Sequence, residues 1–162
     1  MERKCNTAKF RTRIVVSSHE ILGGIALTKI VAQAGAIAFK IVDGAPFVLL
    51  VRAKKNPEHW IFPKGHIDEG ETAEIAAGRE LEEEAAISAE LVAPVGALEF
   101  QSGKELVHVE YFLFRFRAEV ERTEDREVRW CTYDEALELL SHPDAAALLR
   151  KAHSQMKNGN SK

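Results

Sequence analysis

One segment of this 162-residue chain has a strong helical pattern, and it lies among runs that have the composition of β-strands. Thr72 can cap a helix over residues 73–85, in which Gly78 is the one weak helix former. Strand-like runs lie at residues 30–42, 47–51, 92–100, 107–118 and 128–131. Strands therefore outnumber helices in a mixed order, which predicts an α+β fold with helices packed on a mixed sheet.

Turn and capping residues predict how these segments are connected. Asp43-Gly44 marks a hairpin between the first two strands, and Ala45-Pro46 favours a loop longer than two residues. Residues 64–70 contain two glycines and are predicted to form a loop. Thr132-x-x-Glu135 has the form of a capping box before a helix, and another helix is predicted to follow it.

Composition limits the number of domains and the kinds of partner. With 46% hydrophobic residues, the chain can form one globular domain, placed at residues 30–152 between an N-terminal extension at 1–29 and a polar tail at 153–162. The net charge of -3 indicates neither a nucleic-acid nor a membrane partner, and the longest apolar runs are too short to span a membrane. Cys5 and Cys131 have neither disulfide nor zinc spacing, so a cytoplasmic protein is expected. The expected assembly is a monomer or a homodimer.

Three carboxylates of the predicted helix share one face. Glu80, Glu83 and Glu84 are i, i+3 and i+4 neighbours, which fall within an arc of about 100°. Such a run alone is compatible with an acidic face in water. The preceding Lys64-Gly65-His66, however, would add carbonyl oxygens, a cation and an imidazole. Carboxylates on a rigid helix beside backbone carbonyls suit Mg²⁺, which prefers oxygen ligands and is commonly completed by substrate phosphates.

Residues 65–87 resemble the Nudix box, the signature of the Nudix hydrolase family. That pattern is G, five residues, E, seven residues, then R-E-U-x-E-E-x-G-U, where U is apolar. The matching residues are Gly65, Glu71, Arg79, Glu80, Leu81, Glu83, Glu84 and Ile87. Ala86 stands where the pattern has its last glycine, and because Ala is unfavourable in the left-handed region the helix is expected to run on toward Ser88. The resemblance implies a Nudix-type α/β/α sandwich with the box on a loop-helix-loop.

The resemblance also implies a set of metal ligands. Glu83 and Glu84 are the prime ligands of Mg²⁺, for which Mn²⁺ can substitute, and the Gly65 carbonyl is an additional ligand. Glu80 is either a further ligand or the base for the attacking water. Because this base often lies outside the box in the family, Glu127 is a second candidate.

The resemblance gives roles to further residues. Arg79 and Glu71 resemble the family pair that holds the loop against the helix. The W-x-x-P-K-G-H entry to the box resembles that of Nudix enzymes acting on diadenosine polyphosphates. The candidate substrate-binding residues are Arg52, Lys54, Lys64, His66 and Tyr111.

The expected function is Mg²⁺-dependent hydrolysis of a phosphoanhydride bond, with a dinucleoside polyphosphate as the first substrate class. A diphosphoinositol polyphosphate or a modified dNTP would need the same box. A non-catalytic nucleotide-binding module is the alternative from another class of protein.

Overall fold

The computed structural model of the chain describes residues 12–15 and 26–158. In chain order the elements of this part are β1 (Thr12–Val15), β2 (Ala26–Val42), β3 (Ala45–Arg52), β4 (Trp60–Ile61), β5 (Lys64–His66), α1 (Ala73–Ala85), β6 (Ile87–Ser102), β7 (Glu105–Glu119), β8 (Val128–Thr132), α2 (Tyr133–Leu139) and α3 (Pro143–Asn158).

The described strands form one mixed sheet, as predicted. Its main path has the order β4-β3-β2-β7-β6, while β1 and β5 pair with β2 and β8 pairs with β3. The long central pair, β2 and β7, is parallel from Lys29↔Glu105 to Phe39↔Arg115. Every other pairing between two of the described strands is antiparallel.

Strand β2 has a different kind of residue on each face of the sheet. Ile37 and Phe39 belong to the core cluster shared with α2 and α3, whereas the alternate alanines belong to the cluster shared with α1. This alternation follows from the two-residue period of a strand. The sheet is therefore covered by helices on both faces, and the predicted α/β/α sandwich is confirmed.

Helix α1 lies close to the sheet because alanines form both sides of the contact. Ala34, Ala36 and Ala38 of β2 and Ala76 and Ala77 of α1 are all fully buried in one cluster. Small side chains let two backbones approach closely, so the helix sits low over β2. The next turns of α1, which carry the acidic residues, are thereby held beside the backbone of β5.

The hairpin loop between β2 and β3 has two residues, so the prediction of a longer loop is wrong. Asp43 and Gly44 both have positive φ, at 51° and 80°. Two such residues form the tight turn that matches the twist of the flanking strands. Asp tolerates this conformation, so Ala45 and Pro46 already pair with Val42 and Ile41 in the sheet.

Part of the predicted loop at residues 64–70 is a strand. Residues 64–66 form β5, which pairs antiparallel with β2 through Gln33↔His66 and Gly35↔Lys64. The composition of residues 64–66 does not favour a strand. These residues form one because they pair with β2, so a tertiary contact overrides the local preference. The loop prediction is therefore wrong for these three residues.

The terminal regions are only partly described. Residues 1–11 and 16–25 of the predicted N-terminal extension lie outside the described residues, and 12–15 form β1 beside residues 26–29 of β2. At the other end, α3 includes residues 153–158, which the sequence places in the tail, and its Met156 is buried. Within the described ranges, no helix has the length and apolar character that crossing a membrane requires.

The caps of α2 and α1 show one correct and one wrong prediction. The capping box of α2 is confirmed, because Thr132 Oγ1 accepts from Glu135 N at 3.2 Å and Glu135 Oε2 accepts from Thr132 N at 2.9 Å. Helix α1 does not run on toward Ser88. Its last residue is Ala85, and Ala86 caps it in the left-handed conformation (φ 55°, ψ 43°) because the buried Ile87 already starts β6.

Replacing Ala86 by glycine is expected to stabilise the protein, because glycine adopts the left-handed conformation without the steric cost that alanine carries. The free energy of unfolding of Ala86→Gly should rise by about 1 kcal/mol, measured by chemical denaturation. The adjacent Ala85→Gly is the matched control. Ala85 is helical and buried, so the same substitution there should lower stability by about 1 kcal/mol or more. Equal effects at the two positions would contradict this account.

Candidate active site

The acidic residues of α1 lie in a partly buried site. Thr72 caps the helix, its Oγ1 accepting from Ile75 N at 3.3 Å. The side chains of Glu80, Glu83 and Glu84 are 12%, 42% and 6% exposed. An acidic face in water would leave all three exposed, so that interpretation of the run does not hold for this helix.

The backbone of β5 lies directly against these carboxylates. A Cβ atom on Gly65 would overlap the Glu80 carboxyl group, so only glycine leaves room for this contact. One residue earlier, Lys64 N donates to Glu84 Oε2 at 3.3 Å. The structure therefore brings the predicted glycine and the predicted acids together.

Arg79 connects the loop after β5 to helix α1. Its Nε and Nη2 donate to the two carboxylate oxygens of Glu71 at 2.7 and 2.9 Å, and Nη2 also donates to the His66 carbonyl at 2.8 Å. Such a bidentate pair fixes both distance and orientation. This bond lowers the pKa of Glu71. The remaining nitrogen, Nη1, donates to Glu80 at 2.9 Å and to Glu83 at 3.2 Å.

Burial changes the proton affinity of two of the acids. Burial is the main reason that the pKa of Glu84 is raised to about 7; Arg126 opposes this rise, and the nearby charges of Glu80 and Glu124 contribute to it. Burial likewise raises the pKa of Glu80, opposed by its hydrogen bond from Arg79. Carboxylates that are costly to ionise without a cation are suited to binding one.

Glu124 is a further acid of the site that is not predicted from the sequence. It lies in the loop between β7 and β8, and its charge acts on both Glu80 and Glu84. Arg126 connects it to the helix, since Nη1 lies 3.0 Å from Glu84 Oε1 and Nη2 lies 3.1 Å from Glu124 Oε2. The same loop is attached to the helix end, where Val120 N donates to the Ala86 carbonyl at 2.9 Å.

A cleft of about 360 Å³ lies beside Glu124, and three predicted site residues line it. Arg52 Nε donates to Glu127 Oε2 at 3.0 Å, and Lys54 Nζ lies 3.4 Å from Glu124 Oε2. Glu127 is 62% exposed, and its carboxylate faces Arg52. The lining residues are Arg52, Ala53, Lys54, Pro57, Glu124, Asp125, Arg126 and Glu127.

The other three predicted substrate-binding residues lie outside this cleft. Lys64 Nζ donates to Gln33 Oε1 at 3.0 Å, and burial lowers its pKa. The side chain of His66 is exposed. Tyr111 is 5% exposed and packs edge-on against Phe62 at 5.9 Å, so its ring offers no open face to a base. Tyr111, a candidate substrate-binding residue by sequence, therefore lies in the core.

The donor set fits a hard divalent cation. It consists of the four carboxylates at positions 80, 83, 84 and 124 with the Gly65 backbone, all of them oxygen ligands of the kind that Mg²⁺ prefers. Within residues 12–15 and 26–158, no three acidic, His or Cys side chains are already grouped as a metal site. Arg79 and Arg126 hold the carboxylates instead, so rotation of these side chains would be needed to converge on an ion.

The chain belongs to the Nudix family, because its residues 31–152 match the NUDIX domain. It is similar to bis(5'-nucleosyl)-tetraphosphatase (asymmetrical) of Caenorhabditis elegans, with 30% identity over 75% of this chain and 94% of that one. The protein of the same name from Sus scrofa is 33% identical over 70% of this chain and 83% of its own. A crystal structure of a C. elegans Ap4A hydrolase binary complex has a TM-score of 0.70 and 28% identity, covering 79% of this chain and 98% of that one. The resemblance predicted from the sequence is confirmed.

A methyl group on Gly65 should disturb the site while the fold remains. The clash of Gly65→Ala falls on the mobile end of the Glu80 side chain, so the free energy of unfolding should change by no more than about 1 kcal/mol. The displaced carboxylate should weaken Mn²⁺ binding about tenfold in a calorimetric titration, because groups that orient ligands affect metal affinity to this degree.

Gly78→Ala is the matched control for this substitution. A Cβ at position 78 would lie 3.6 Å from Phe114, an ordinary contact, and alanine favours a helix. This variant should bind Mn²⁺ as the unmodified protein does and gain up to about 1 kcal/mol of stability. Unchanged Mn²⁺ binding by Gly65→Ala would contradict the role of the glycine.

Proposed function

We propose that this Nudix protein hydrolyses a phosphoanhydride bond of a dinucleoside polyphosphate, cutting a tetraphosphate asymmetrically into a nucleoside triphosphate and a nucleoside monophosphate. One observation carries the proposal: carboxylates at positions 80, 83, 84 and 124 are linked through Arg79 and Arg126, with Glu80 against the Gly65 backbone and a cleft with cationic residues beside Glu124. The names of the relatives indicate the substrate class and the asymmetry.

The protein's own residues divide the work of this reaction. When bound, Mg²⁺ or Mn²⁺ supplies charge stabilisation on the phosphoryl oxygens and acidifies the attacking water. Glu83, Glu84 and the Gly65 carbonyl would hold the ion, with Glu80 as a further ligand or base. Arg79 and Glu71 hold the loop after β5 in a fixed position against helix α1. Catalysis of this kind depends mainly on position and charge, which a rigid helix provides.

Recognition of the polyphosphate chain falls to the cleft. Arg52 and Lys54 line it and can exchange their present carboxylate partners for phosphate oxygens. The ammonium group of Lys64 donates a hydrogen bond to Gln33. Lys64 therefore contributes to the site through its backbone N–H, which orients Glu84. His66, the last residue of β5, is exposed and available to a phosphate.

The cellular compartment and the oligomeric state are proposed on separate grounds. Cys131 is a free buried thiol, which is compatible with a reducing compartment, and the cytoplasm is proposed on that basis. Either a monomer or a homodimer can perform the proposed reaction, because all of the residues named belong to one chain.

A substrate panel tests the proposed reaction. With Mg²⁺, the protein should convert a dinucleoside tetraphosphate into equal amounts of triphosphate and monophosphate, resolved by ion-exchange chromatography. Removal of the metal by EDTA should abolish turnover, and Mn²⁺ should restore it. A nucleotide sugar, a modified dNTP and an inositol pyrophosphate complete the panel. Faster product release from one of these compounds would show that its class, and not the dinucleoside polyphosphates, is the substrate class. If no compound of the panel gave a product, the proposed hydrolysis would be contradicted.

The control for the panel is the double variant Glu83→Gln with Glu84→Gln, verified to be folded by circular dichroism. It should lose turnover by at least about a thousandfold, because it lacks two proposed ligands of the catalytic ion. A non-catalytic nucleotide-binding module would instead bind nucleotide equally well with and without these substitutions. That result, together with inactivity of the unmodified protein, would favour the binding module.

Substitution of the two acids outside the box compares Glu124, which belongs to the acidic site, with Glu127, the candidate base outside the box. Glu124→Gln should lower kcat about a hundredfold or more, because the structure places its charge beside Glu80 and Glu84. Glu127→Gln should have a smaller effect, mainly on KM, because its carboxylate pairs with Arg52 at the cleft. Steady-state kinetics of the two variants show which substitution lowers kcat more. A larger loss of kcat in Glu127→Gln would identify Glu127 as the base.

A further inference from the structure

Arg126 is an almost buried arginine in the centre of the acidic site. Its side chain is 10% exposed, and its two terminal nitrogens lie 3.0 Å from Glu84 Oε1 and 3.1 Å from Glu124 Oε2. Its Nε is buried without a hydrogen-bond partner among the described residues. The guanidinium group therefore bridges one carboxylate of the helix and one of the loop, and part of its hydrogen-bonding capacity is unused.

The bridge occupies oxygen atoms that a divalent ion would need. Glu84 has one oxygen bound by Arg126 and the other by Lys64 N, and Glu124 is shared between Arg126 and Lys54. A cation of the protein and a cation from solution thus compete for the same carboxylates. Two positive charges cannot be held this close together without mutual repulsion.

Arg79 and Arg126 differ in what holds them. Arg79 is anchored by both oxygens of Glu71 and by the His66 carbonyl, so it keeps these partners whatever happens at Glu80 and Glu83. The ion pairs of Arg126 in the described part of the chain are those with Glu84 and Glu124 alone. Arg126 is therefore the guanidinium group that a metal ion would displace.

We propose that Arg126 is an internal counter-ion that occupies Glu84 and Glu124 until a divalent ion replaces it, and that the released guanidinium group then binds the polyphosphate chain in the adjacent cleft. This rests on the proposed function for the presence of a divalent ion and a polyphosphate. Arg126 lines the cleft in which Arg52 and Lys54 also lie, so the group needs only to turn away from Glu84 to face it. Loss of Glu124 to the ion would free Lys54 in the same way.

The proposal predicts effects of opposite sign in one variant. In Arg126→Gln, Mn²⁺ should bind about tenfold more tightly in a calorimetric titration without substrate, because a competing charge is gone. With saturating Mg²⁺, KM for a dinucleoside tetraphosphate should rise about tenfold, because a phosphate ligand is lost. A purely structural role would weaken both kinds of binding together.

Arg129→Gln is the control for the change of charge. Arg129 is exposed on β8, and within residues 12–15 and 26–158 it has no hydrogen bond or ion pair to the acidic residues, so Mn²⁺ affinity should remain within about twofold of the unmodified protein. Arg126→Lys keeps the charge but lacks the planar fork that bridges two carboxylates. It should bind Mn²⁺ more tightly than the unmodified protein, and it decides the question if Arg126→Gln does not fold.

The outcomes separate this inference from the proposed function. Unmodified protein that binds Mn²⁺, combined with an Arg126→Gln or Arg126→Lys variant that binds it equally or more weakly, would overturn the role of Arg126 alone. Unmodified protein that takes up no Mn²⁺ would contradict the proposed function itself. Tighter Mn²⁺ binding with an unchanged KM would overturn the transfer of the guanidinium group to the phosphate chain.

Discussion

The contact between the alanines of β2 and those of α1 determines where everything else in the site lies. It lets the helix approach the sheet closely enough for Glu80 to touch the backbone of Gly65 and for Glu84 to accept from the N–H of Lys64. A larger residue at Ala36 or Ala77 would lift the helix by the width of its extra atoms, since packed interiors do not absorb added volume easily. The catalytic geometry is thus a consequence of core packing.

Carboxylates this close together repel one another, and two arginines compensate their negative charge. Each guanidinium group binds carboxylates from different segments: Arg79 joins the loop after β5 to the helix, and Arg126 joins the helix to the loop after β7. Removing one partner of the buried Arg126–Glu84 pair would leave a charge without compensation, which is costly. The two arginines thereby compensate part of the negative charge of the clustered carboxylates.

The sequence predicts the parts of this arrangement that depend on local patterns. Helix α1, its cap at Thr72 and the spacing of the three acids need only helical periodicity and known cap residues. Glu124 is not predictable in this way, because it lies 40 residues after Glu84 in a charged loop in which every acid has the same local context. The attachment of that loop to α1, through Val120 N and the Ala86 carbonyl and through Arg126, brings Glu124 beside the helix, whereas Glu127 pairs with Arg52.

The same distinction explains why wrong and correct predictions occur side by side in one motif. At Ala86 the local cost of the left-handed conformation favours a longer helix, yet the burial of Ile87 and the pairing of β6 with β7 require the chain to turn there. Burying an isoleucine side chain contributes about 2 kcal/mol, more than the roughly 1 kcal/mol that alanine costs in that conformation. Tertiary burial therefore decides that the helix ends at Ala85 and that Ala86 takes the left-handed conformation.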